Sequence, residues 1–164
     1  MMPIRTILAI SLAAALSLAM PTQSLFAMGG GGRDHSNNSP AAREGDYDMG
    51  VKAAKSGKYE DAIESLHKAV DKDPRNADAW NYLGYSQRKA GQLDAALTSY
   101  NNALQIDPTN KGAHEYLGEL YLMTDNLPKA EELLKTLAQL CTSCEERRSL
   151  EEAVTAYKKA KGII

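Results

Sequence analysis

The chain has 164 residues, 43% hydrophobic and 24% charged, with 19 Lys plus Arg against 21 Asp plus Glu and a formal net charge of -2. These values fit an ordinary globular domain and exclude both wholesale disorder and the large basic field that holds a nucleic-acid backbone. A mixed, slightly acidic surface speaks for solubility and names no partner.

At the start, Arg5 precedes an uncharged apolar run from Ile7 to Met20. The run is shorter than the roughly 20 residues a transmembrane span needs and fits the apolar core of a secretory signal. Residues 1–27 are therefore read as a signal peptide cleaved after Ala27, with Ala19 as the second choice. No Cys follows that core, so no lipid anchor is indicated, and no later segment is long and apolar enough to span a bilayer. The mature chain is expected outside the cytoplasm, with the bacterial periplasm as the preferred compartment. Residues 28–42 are rich in Gly, Ser and Asn and poor in large apolar side chains, so they are read as a flexible leader.

From there on, residue types recur every 34 positions. Gly50, Gly84 and Gly118 follow that step, as do Ala62, Ala96 and Ala130, and the bulky series Leu66, Tyr100 and Leu134. Such a period indicates stacked helix-turn-helix units. Small residues allow the two helices of a unit to approach, whereas the bulky series is expected to fill the space between successive hairpins. Gly57 and Gly91 read as left-handed caps ending the first helices, with Asp125 and Asn126 in that place in the third unit. Asp73-Pro74 and Asp107-Pro108 stop the second helices, and Asn76 and Asn110 stand as N-caps for the helices that follow.

Trp80, Leu83, Gly84, Ala96, Tyr100, Ala103 and Pro108 together resemble the tetratricopeptide repeat pattern. Units are placed at 43–76, 77–110 and 111–144. The outer copies depart from the pattern, with Asp46 at the position of Trp80 in the first and His114 in the third. Residues 145–164 read as a capping helix and tail, with an apolar stripe of Leu150, Ala153, Val154 and Tyr157 and a charged opposite face that includes Glu145, Glu146, Arg147, Arg148 and Lys158. The implied fold is all-α, a right-handed α-solenoid of three tetratricopeptide hairpins closed by that helix.

The resemblance implies a non-catalytic adaptor or scaffold of the cell envelope that holds a protein or peptide on its concave side, lined by the first helices. Registered by the glycines, the outward positions include Tyr47, Asp48 and Val51, then Asn81, Tyr82, Tyr85, Arg88 and Lys89, then Glu115, Tyr116, Glu119 and Leu122. Tyr47, Asn81, Tyr82, Tyr85, Arg88, Glu115, Tyr116 and Glu119 are the candidate partner-binding residues. Tyrosines are the strongest of these, since they give large contact area with little rotamer entropy. The family's grip on a peptide's terminal carboxylate, made by Lys, Arg and Asn side chains, is not matched here: Tyr82, Gly112 and Tyr116 stand in those places.

Cys141 and Cys144 form the one other chemical motif. In an oxidising compartment a structural disulfide is the expected state. The alternative is a thiol-based redox or assembly factor, since a thiol at a helix N-terminus has a lowered pKa, although Glu145 and Glu146 would oppose that. No catalytic constellation, metal site or cofactor motif is read from the sequence, and oligomeric state is not legible in it.

Overall fold

The computed structural model describes residues 45–164; the stretches read as signal peptide and leader lie outside the described residues. The described residues form an all-α solenoid: α1 (Asp46–Lys55), α2 (Tyr59–Lys72), α3 (Ala77–Lys89), α4 (Leu93–Ile106), α5 (Lys111–Met123), α6 (Leu127–Leu140) and α7 (Glu145–Ala160). The first six pair as three hairpins, and no described helix is long and apolar enough to cross a membrane.

Local chemistry sets the helix ends. Gly57 (φ 74°) and Gly91 (φ 80°) take the left-handed conformation that closes the first helix of a hairpin, and Asp125 does the same at φ 56°. At the entry to the next helix, Asn76 Oδ1 accepts from the Ala79 N–H and Asn110 Oδ1 from the Ala113 N–H, each at 2.9 Å. One turn on, Trp80 Nε1 donates to the Pro74 carbonyl at 3.0 Å, and His114 Nε2 makes the equivalent bond to the Pro108 carbonyl at 2.9 Å. Thus His114 replaces the pattern's Trp without losing the strap that ties each helix to the loop before it.

The glycine period is a packing period. A Cβ on Gly50 would lie 2.5 Å from Leu66 Cγ, and one on Gly84 would lie 2.7 Å from the ring of Tyr100. Leu66 and Tyr100 therefore fill the notch inside their own hairpin, not the gap between hairpins expected from the sequence. The third unit breaks the series. There the notch at Gly118 is filled by Leu150 of α7, whose methyls lie 2.6 Å from the missing Cβ, while Leu134 is only partly buried.

Leu150 and Val154 give α7 its buried stripe, against Leu122, Ala130 and Leu137. Asp125 explains why a glycine cap is dispensable at the third turn. Its carboxylate accepts from the Tyr157 hydroxyl at 2.9 Å and pairs with Lys161 at 2.6 Å, so the turn residue also anchors the last turn of α7.

The stack bends toward its first helices. α1 packs on α3 and α3 on α5, whereas α2 does not reach α4 nor α4 reach α6. Neighbours that touch on one side and part on the other define an inner face, here built of α1, α3 and α5 and continued by α7, which packs on α5.

Candidate functional site

On that inner face lies an open groove of about 460 Å³. Tyr47 from α1, Asn81 and Tyr82 from α3, and Glu115 and Tyr116 from α5 line it. These are five of the eight candidate residues, brought together because each falls on the first or second turn of an inner helix. Tyr47 and Tyr82 meet edge to face with ring centroids 6.2 Å apart, so each ring helps to hold the other in place.

The other three candidates form a second cluster, one turn further along. Arg88 is 9% exposed, its Nη2 2.6 Å from Glu119 and its Nε donating to the Tyr100 hydroxyl at 3.4 Å. Its guanidinium also stands over the rings of Tyr85 (5.8 Å) and Tyr116 (5.6 Å). Tyr85 in turn packs on Tyr59 and Tyr116. This cluster joins the second unit to the third, and Tyr116 belongs to both it and the groove.

Solvent access differs from the expected pattern. Asn81, Arg88, Glu115 and Leu122, placed outward by helical register, are buried. Register gives the direction a side chain leaves its helix; it does not count what the next helix lays over it. Glu115 feels the charges of Glu146 and Glu145 and the hydroxyl of Ser149, all on α7.

Sequence reading missed the groove's acidic lining. Asp78, Asp107 and Glu146 line it alongside Glu115, with Lys111 as the one basic residue among its walls. Asp78 and Asp107 sit at helix starts and ends, where a carboxylate has a local explanation: Asp107 accepts from the Thr109 N–H at 2.9 Å. Helical spacing puts Glu146 on the charged face of α7, away from the stripe of Leu150 and Val154. The available signal was that α7 follows an inner position in the stack, so its first turn must face the groove.

Electrostatics follow from this crowding. The Glu115 carboxyl is pushed up to about 7, by burial first and then by the charges of Glu119 and Glu146. The Tyr116 phenol is raised to about 12, again by burial first and then by Glu115. Among the described residues no ion pair is made by Asp78, Asp107, Glu115 or Glu146. Among the described residues two buried side-chain polar atoms have no hydrogen-bond partner, Asn81 Oδ1 and His114 Nδ1, and Asn81 lines the groove. Asn81 is 7% exposed and its amide lies over the backbone of Gly112, where a Cβ would come within 2.8 Å of Nδ2.

Two family models for the tetratricopeptide repeat match the sequence, one over residues 47–111 and the other over 87–140. The chain belongs to the tetratricopeptide repeat family. Among solved structures, this tetratricopeptide protein is similar to the first such domain of Spaghetti (RPAP3) bound to the HSP90 peptide SRMEEVD, with a TM-score of 0.64 and 20% identity over 71% of this chain and 90% of that one. It is similar to the second such domain of human RPAP3 in complex with the HSP70 peptide SGPTIEEVD, at a TM-score of 0.62 and 21% identity over 69% and 92%. It is also similar to the type III secretion translocator chaperone SycD of Yersinia enterocolitica, at 0.64 and 24% over 71% and 83%. At these identities the likeness carries the fold. The sequence matches none of the curated proteins with which it was compared.

At the junction of the third hairpin and α7, Cys141 and Cys144 are joined as a disulfide with Cα atoms 5.8 Å apart. Cys144 is the N-cap of α7, and the Arg147 guanidinium donates to the Thr142 carbonyl at 2.6 Å across the same loop.

Proposed function

We propose that this tetratricopeptide protein is a non-catalytic adaptor of the cell envelope that holds a segment of a partner protein in the groove of α1, α3 and α5. The observation that carries this reading is the meeting of Tyr47, Tyr82 and Tyr116 from three successive inner helices around one open groove. Rings already packed against their own scaffold lose little entropy on binding, so contact area converts efficiently into affinity. Two of the similar structures hold peptides, which supports the reading. Those peptides end in Glu-Glu-Val-Asp, and the acidic groove here argues against an acidic tail of that kind.

The test is a photo-crosslinker placed at Tyr82 in the intact cell, compared with one at exposed Glu64 on α2. A partner captured at Tyr82 alone, and lost on Tyr47→Ala, is the expected result. Equal capture at both positions would refute the groove. Export is part of the proposal and rests on the apolar run after Arg5; fractionation should place the mature chain outside the cytoplasm.

A second reading, a thiol-based redox or assembly factor, has one observation in its favour. Cys144 of the disulfide borders a shallow cavity of about 250 Å³ lined also by Arg147, Arg148 and Glu151, so an attacking thiolate would meet two guanidinium groups against one carboxylate.

A further inference from the structure

The groove's walls are tyrosine rings and carboxylates; Arg88 stands over the Tyr116 ring, but among the described residues no cation pairs with Asp78, Asp107, Glu115 or Glu146. Asp78 accepts one neutral hydrogen bond, from Asn110 Nδ2 at 2.9 Å. Glu115 makes no ion pair among the described residues; burial first, and then the charges of Glu119 and Glu146, raise its carboxyl, with Ser149 opposing. Lys111 is the only ammonium in the lining, against Asp78, Asp107, Glu115 and Glu146. Such a lining draws in positive charge and repels negative charge before any contact forms.

A second, independent observation points the same way. Asn81 is more than nine-tenths buried in the lining, and its Oδ1 is an acceptor with no donor. An orphaned acceptor of this kind carries an uncompensated desolvation cost, which an incoming N–H would relieve. Tyr47, Tyr82 and Tyr116 complete the match, since a ring face attracts a cation and its aliphatic stem alike.

Building on the adaptor reading, we infer that the groove selects a partner segment presenting a lysine or arginine side chain, whose charge is met by Asp78 and Glu115 and whose stem lies against the tyrosine rings. Specificity is then the opposite of a carboxylate grip: the protein supplies the carboxylates and the partner the cation.

The experiment is selection of glycine-flanked random heptapeptides on the full chain, followed by fluorescence polarisation of the enriched peptides. Expected is enrichment of Lys or Arg at one position. Replacing that residue with norleucine, or using the Asp78→Asn/Glu115→Gln double variant, should weaken binding at least tenfold, and affinity should fall as salt rises. The norleucine arm leaves the protein unchanged, so it does not depend on the variant folding. If enriched peptides are neutral or acidic, or norleucine binds as well as lysine, the inference is overturned while the adaptor reading stands. If no peptide is enriched, both fall.

Discussion

Arg88 in the second unit and Glu119 in the third form a nearly buried ion pair, 2.6 Å between Nη2 and Oε2, roofed by the rings of Tyr85 and Tyr116. It spans the seam between hairpins, where a solenoid's cooperativity is decided. Removing one partner of such a pair leaves the other charge without compensation. Arg88→Ala should therefore cost on the order of 2–4 kcal/mol in urea denaturation, at the lower end of the range for buried pairs because Glu119 retains some solvent. Arg88→Met, which keeps the stem under the rings, should cost less. Equal losses would mean that the aliphatic stem contributes nothing and that the whole effect lies in the guanidinium.

Gly84 and Gly118 look interchangeable in the repeat, but their neighbours differ. At Gly84 a methyl would strike the ring of Tyr100, which is 0% exposed and has nowhere to move. At Gly118 it would meet both methyls of Leu150 at 2.6 Å, an aliphatic side chain that is likewise 0% exposed but has a second rotatable bond instead of a rigid ring. Overpacking of this kind costs about 1–3 kcal/mol, and helix propensity returns about 1 for Gly to Ala. Gly84→Ala and Gly118→Ala should thus both lower the melting temperature, Gly118→Ala by less, and Leu150→Ala should be strongly destabilising in thermal unfolding followed by circular dichroism.

Glu115 gives a pH dependence with a defined sign. Its folded carboxyl titrates at about 7, above the ordinary value of 4.5, because of burial and the charges of Glu119, Glu146 and Glu145, with Ser149 opposing. The unfolded chain loses this proton first as pH rises, so a stability penalty develops from about 4.5 and is complete above about 7. Glu115→Gln removes the ionisation. It should be more stable than the parent at pH 8 by chemical denaturation, and the gap should close as pH falls toward 4.5. A gap independent of pH would show that Glu115 is not the group responsible.

Reduction separates the two functional readings. The loop closed by Cys141 and Cys144 is very short, so the chain-entropy model gives about 2 kcal/mol for the disulfide. Cys141→Ser with Cys144→Ser should lower stability by about that amount and leave peptide affinity unchanged. A double variant that folds fully but loses all cellular function would favour the thiol reading.

Much of the fold was legible because each repeating residue serves a contact that recurs with it. Gly57 and Gly91 close turns, Asn76 and Asn110 cap helices, and Gly50 and Gly84 receive a bulky side chain from the same unit. Periodicity failed where the repeat ends. Leu150 lies beyond the last period, so nothing in the spacing of Leu66, Tyr100 and Leu134 shows that it takes the third notch. The groove was half legible for a related reason. Tyr47, Tyr82 and Tyr116 follow from helical register within each unit, but the burial of Glu115 and the acidic wall from Glu146 come from α7, whose placement over α5 no pattern within one helix records.

The central claim, that the partner lies across Tyr47, Tyr82 and Tyr116, is tested most directly by an amide NMR titration of the full chain with a display-selected lysine peptide. Shift changes concentrated at Tyr47, Asn81, Tyr82, Gly112 and Tyr116 are the predicted result. Changes centred instead on the exposed residues Glu64, Thr98 and Lys135 of the outer helices would contradict it.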